Sequence, residues 1–181
     1  MLKQSLFATI IFAASVLGAC SSTSSMSSSS GASSSGASGG CKAYDPGALD
    51  LKAPTVSFKT DVVAGVFNKS CGLSTSCHGS PTASQGGLFL GAKAAAGSDS
   101  SAVRTAIVGV ASKDLPPMPF VTASDPSKSF LMHKMDGDQC TLNAQCVNAD
   151  CLQTMPQGSD ALPVDRRDVV RRWIAQGAQD N

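Results

Sequence analysis

Cys71, Cys77 and His78 are the residues best equipped for chemistry, in the stretch Ser-Cys-Gly-Leu-Ser-Thr-Ser-Cys-His-Gly-Ser that runs from Ser70 to Ser80. Two thiols followed at once by an imidazole can hold haem: the sulfurs add to the vinyl groups on one edge of the macrocycle, and the next residue turns under the ring to bind iron. In the usual C-x-x-C-H form, sulfurs three positions apart share one side of a helical turn. Here five residues separate the cysteines. Positions six apart on a continuous helix differ by about 240° of rotation, so both sulfurs could not meet one haem edge. Both thioethers would require Gly72 and the Ser74-Thr75-Ser76 run to bulge outward. The alternative is a Cys71–Cys77 disulfide, because a loop of this length readily brings the Cα atoms to the roughly 4.4–6.8 Å that such a bond needs.

The elements that must position these residues read as helices. Over 60–70, Thr60 can cap, Asp61 suits the first turn, and Val62, Val63, Val66 and Phe67 make one apolar face that leads to Cys71. Residues 72–91 read as loop with an apolar patch at Leu88, Phe89 and Leu90. A second helix is expected over 100–108, with Val103 and Ile107 inward. The run Leu115-Pro116-Pro117-Met118-Pro119 cannot be helix interior. A third helix opens with Asp125 as cap and Pro126 in the first turn, runs to about Met135 and stops at Gly137. Residues 138–151 are polar, carry three cysteines and read as a disulfide-stapled insertion. After a loop over 153–158, the last helix covers about 164–176, with Val169, Val170, Trp173 and Ile174 on one side and Gly177 closing it. Arg167, Asp168, Arg171 and Arg172 read as its solvated face. Four helices with little strand signal predict an all-α domain whose first and last helices could pack on each other.

That domain is expected to occupy 41–181. Residues 1–19 read as a signal peptide, with Lys3 supplying charge and an apolar run from Leu6 to Leu17 too short to span a bilayer. Leu17-Gly18-Ala19-Cys20 resembles the lipobox of bacterial lipoproteins, which implies cleavage before Cys20 and lipidation of it. Residues 21–40, almost all Ser, Gly, Thr and Ala, have nothing to bury and read as a disordered tether with a reach of roughly 25 Å. A net charge of +1 with 15% charged residues argues against nucleic acid as a partner. Of seven cysteines, setting Cys20 aside leaves an even six, which in an exported chain favours full pairing by disulfide or thioether. Disulfides are therefore expected among Cys41, Cys140, Cys146 and Cys151 whether Cys71 and Cys77 bond haem or each other.

Taken in order, Phe67 to Cys71, Cys77-His78-Gly79, Gly86 to Leu90, Asp125 to Leu131, Met155-Pro156 and Trp173 to Ala178 resemble the bacterial cytochrome c-like domains found on exported lipoproteins. The set covers about 62–178, and the widened cysteine spacing is its one departure. The resemblance implies an all-α fold with crossing terminal helices, haem c as cofactor, one-electron transfer, His78 as proximal iron ligand and Met155 as distal ligand. On that reading the chain is a lipid-anchored electron carrier serving a redox partner protein in the cell envelope, at a bacterial membrane and by the Ser21 sorting rule the outer one.

Met118, in a proline loop like that of Met155, is the rival distal ligand, and His133 is another. Met135 suits the core by its helical spacing with Leu131. Met132-His133-Lys134-Met135 also invites a copper reading, since thioether and imidazole suit Cu(I), although His133 points about 100° away from Met132 on a helix. Zinc at Cys140, Cys146 and Cys151 is a further option that an oxidising compartment disfavours. No phosphate loop, nucleophile elbow or metalloprotease helix is present. The alternatives to an electron carrier are therefore a haemless, disulfide-stapled interaction or structural lipoprotein and, third, a periplasmic copper binder.

Overall fold

In the computed structural model the described residues are 41–181; residues 1–19, read above as a signal peptide, Cys20 and residues 21–40, read as a tether, lie outside them. These residues form an all-α domain. Helix α1 comprises Phe58–Phe67, wound as a π-helix, and a final α-turn over Asn68–Ser70; α2 is Ser100–Ile107, α3 is Phe130–Asp136 and α4 is Val164–Ala175. Short 3₁₀ turns fill the connections, and among the described residues the only β pairing is two isolated bridges, Val108 with Val121 and Ala111 with Pro119.

The first helix starts earlier than its apolar spacing indicates. Ser57, not Thr60, is the cap: its side chain accepts from the Thr60 amide at 3.3 Å while its carbonyl takes the amides of Asp61 and Val62. The wide winding, with Val62 bonding five residues back, turns Phe58, Val62, Val63, Val66 and Phe67 all into the core. Asp125 caps as expected, but only a 3₁₀ turn over Pro126–Lys128; Ser129 then breaks the chain before α3 begins.

The terminal helices do pack on each other. The Phe58 and Trp173 rings stack with centroids 4.3 Å apart and planes 14° from parallel. Each ring fully buried is worth roughly 1.5–3 kcal/mol, and the stacked pair adds about 0.5–1.5 kcal/mol. Trp173 donates its indole N–H to the Gln179 carbonyl at 2.8 Å, so its polar edge is satisfied too. Asn181 fastens the same end: its side-chain oxygen accepts from Phe58 N–H at 2.8 Å and its amide donates to the Val56 carbonyl.

The basic face of α4 is only partly solvated: Arg166 is exposed and Asp168 and Arg172 are half-buried, but two of its charges turn inward. Arg167 and Arg171 are 7% and 5% exposed, and both converge on Asp136 at the end of α3, with N–O distances of 2.7 and 2.8 Å. Tyr44 lies against both guanidiniums, 4.6 and 4.9 Å from ring centroid to carbon. The charges expected to face water therefore tie α3, α4 and the leading segment together. Two disulfides, Cys41–Cys140 and Cys146–Cys151, complete the frame and use the four cysteines expected to pair.

Removing Asp136 would strand two buried guanidiniums. Asp136→Ala is expected to cost about 3–5 kcal/mol, read as a lower urea midpoint at unchanged slope.

Candidate functional site

α1 delivers the chain to Cys71 and ends there because both Cys71 and Gly72 amides bond to one carbonyl, that of Phe67, at 2.8 Å. Leu73, Ser74, Thr75 and Ser76 then loop into solvent. The Ser74 carbonyl gathers the loop by accepting from Cys77 N–H at 3.2 Å and from Gly79 N–H at 3.0 Å. The His78 amide finally donates to the Cys71 carbonyl at 3.1 Å. In a helical C-x-x-C-H turn, the histidine amide four residues on would make this same bond to the first cysteine. The surplus residues have been looped out and the closure restored across them.

Of the stretch that two thioethers would require to bulge outward, Ser74-Thr75-Ser76 does so, whereas Gly72 presses inward. A Cβ built there would lie 1.7 Å from the Gly91 carbonyl oxygen, so only glycine permits the approach. The Lys93 amide donates to the Gly72 carbonyl at 2.9 Å, which clamps the start of the loop to the segment after Leu90.

That segment also fixes His78. The imidazole Nδ1 lies 3.0 Å from the Leu88 carbonyl, which can only accept, so Nδ1 carries the proton and Nε2 keeps its lone pair. The Leu90 amide donates back to the His78 carbonyl at 2.9 Å. Burial pushes the His78 pKa below 6.5, outweighing the Leu88 and Gln85 carbonyls that favour the cation, and the Lys134 charge acts in the same direction as burial. A neutral imidazole with Nδ1 anchored to a carbonyl is the state in which histidine binds a metal through Nε2.

Cys71 and Cys77 are both free thiols, so the alternative disulfide between them is not formed. Cys71 packs in the apolar core, and burial, with a contribution from Cys77, pushes its thiol up to about 12. Cys77 is half-buried, its sulfur 3.4 Å from the Ser74 hydroxyl. Two unbonded thiols on either side of a closed loop, followed by a neutral, anchored imidazole, match the donor set of a haem c attachment.

The distal candidates separate by their surroundings. His133 is occupied at both nitrogens: Nδ1 lies 2.7 Å from Asp138 and Nε2 lies 3.0 Å from the Ser127 carbonyl. It bridges a carboxylate and a carbonyl, with both ring nitrogens engaged. The Asp138 hydrogen bond is the main reason its pKa is raised, against burial. Met132 and Met135 are core residues, each 2% exposed. Met155 is half-buried, and its amide donates to the Lys134 carbonyl at 2.8 Å. Met118 is half-buried against the core, with its amide bonded to the Leu115 carbonyl at 2.9 Å.

The zinc reading loses its ligands, since Cys140, Cys146 and Cys151 are all in disulfides. Among the described residues, no group of three or more His, Cys, Asp and Glu side chains is placed to hold a metal ion by itself. Sequence reasoning named Leu88 only as part of an apolar patch and of the Gly86 to Leu90 motif, and it missed Gly91, just past that motif, and Lys134, which was hidden inside a tetrapeptide that suggested copper. Compared with protein-family models, with curated proteins and with solved structures, the chain finds no match.

Gly72→Ala is expected to break the close approach to Gly91 and cost about 1–3 kcal/mol, with faster hydrogen exchange at the His78 amide than at α4 amides. For His133, whose folded pKa lies above 6.5, the stabilisation is complete below pH 6.5 and disappears as pH rises through the raised value. His78, lowered, contributes with the opposite sign, losing stability as pH falls through its folded value. His133→Gln should therefore remove the alkaline decline and leave the acid one, measured by urea unfolding at a series of pH values.

Proposed function

We propose that this protein is a haem c electron carrier of the cytochrome c-like type, attached through Cys71 and Cys77 with His78 Nε2 as proximal iron ligand. The observation that carries the reading is the His78-to-Cys71 backbone bond, which closes the widened motif as a C-x-x-C-H turn would be closed. The Nδ1–Leu88 contact supports it by leaving Nε2 as the coordinating atom. Met155 is the preferred distal ligand and Met118 its rival; His133 drops out because both its nitrogens are engaged. Bound haem would supply one-electron chemistry, and thioether ligation would favour the ferrous state. The chain's own part is to hold the imidazole neutral and oriented, keep water from Cys71 and fix the distal loop.

Export, lipidation at Cys20 and residence at a bacterial outer membrane follow from the leading residues and belong to the same proposal, as does a redox partner protein of the cell envelope. A second reading, a haemless domain of interaction or structural role, draws on one observation: the Cys71 side chain already packs within the apolar core.

Expression of the full chain in a cell that matures c-type cytochromes separates the two. The expected product carries one covalent haem by mass spectrometry and a pyridine haemochrome band. Cys71→Ser with Cys77→Ser should abolish covalent retention, and His78→Ala should abolish axial ligation. A mature polypeptide with the two sulfurs joined to each other and no added mass would overturn the proposal.

A further inference from the structure

Residues 151–155 form neither helix nor strand, yet side chains hold the backbone at Cys151 and Leu152 and a backbone bond holds it at Met155. The Lys134 ammonium donates to the Cys151 carbonyl at 2.7 Å, and the Lys134 carbonyl accepts from the Met155 amide at 2.8 Å. One residue of α3 thus grips both ends of the segment. Between those grips, Gln139 donates its side-chain amide to the Leu152 carbonyl at 3.1 Å and lies 3.3 Å from the Thr154 hydroxyl. Asn143 accepts from the Cys151 amide at 2.9 Å, and the Cys146–Cys151 disulfide anchors the near end covalently.

Three features of this arrangement carry a cost in stability. Lys134 is only 7% exposed, and burying an ammonium with one hydrogen-bond acceptor, the Cys151 carbonyl, and the Phe130 ring at 5.9 Å is costly. Gln139 leaves its side-chain oxygen buried without a partner. Leu152 has a left-handed backbone, φ +61°, while its side chain is 57% exposed and gains little from burial. A strained residue between expensive polar anchors is what an over-determined functional segment looks like.

We propose that Lys134, assisted by Gln139 and Asn143, is the positioning residue that suspends segment 151–155 from α3 and thereby sets where the Met155 side chain sits. The assignment of a purpose to that placement rests on the electron-carrier reading; the suspension itself does not.

Hydrogen exchange on the full chain, resolved by amide, tests it in wild type, Lys134→Met, Lys134→Arg and Gln139→Met. Lys134→Met removes the ammonium from the Cys151 carbonyl and keeps the backbone carbonyl that holds Met155, so exchange should speed by about ten- to hundredfold at Cys151 and by less at Met155, with Ile174 and Met118 amides unchanged. Lys134→Arg, which keeps a cationic donor, should retain most of the protection. Gln139→Met deletes the unpartnered oxygen, so its unfolding midpoint should hold or rise while the segment still loosens. Unchanged exchange at 151–155, or equal acceleration at every slow amide, would overturn the proposal. In haem-loaded protein, Lys134→Met should also weaken the sulfur-to-iron absorption band while covalent attachment persists; retention of that band at wild-type strength would count against the placement role. Because the exchange measurement needs no haem, failure of the electron-carrier reading would be seen separately.

Discussion

The absence of a side chain at Gly72 is the constraint on which the Cys71–His78 arrangement depends. Because its backbone can lie directly against Gly91, the loop start is fixed to the segment that also supplies the Leu88 carbonyl and the Leu90 amide to His78. The widened motif is thus not closed by its own residues alone. Residues from 88 to 93 act as a template that returns His78 to Cys71 after the exposed excursion through Leu73 and Ser76. Loop-closure entropy grows slowly with length, so three extra residues add little cost once both ends are pinned.

The second organising centre is α4. Its apolar side meets α1 through Trp173 and Phe58, and its basic side closes on Asp136 and Tyr44. Both faces are used, so rotating or sliding the helix would break one set of contacts or the other. Buried ion pairs seldom add much net stability over apolar replacements. The value of this one lies in geometry: it fixes the end of α3, and α3 carries Lys134 two residues earlier.

Much of the fold was legible in the sequence. Apolar spacing located all four helices, because burial on one face leaves a periodic trace, and Asp125-Pro126 and Gly137 marked turns that the chain does make. The four pairing cysteines were legible as a set, though not their connectivity, which depends on spatial proximity across as many as 99 positions. The fate of Arg167 and Arg171 was not legible. Their partner, Asp136, lies 31 and 35 positions away, and a local reading sees only charges on one side of a helix. The same limit applies to His133, whose neighbours in sequence suggested a metal while its partners in space are a carboxylate and a carbonyl. At the candidate site, residue types suggested a chemistry. The closure across the widened spacing is a backbone bond, and backbone bonds across a loop leave no signature in side-chain identity beyond the glycines that allow them.

The Cys41–Cys140 bond gives the domain a particular mechanical character. Any force drawn through the chain ahead of Cys41 crosses at once, by covalent linkage, to the turn following α3. It bypasses the extended stretch before α1, which would otherwise peel away first. The domain would therefore resist being unzipped from its leading end for as long as that sulfur bond endures.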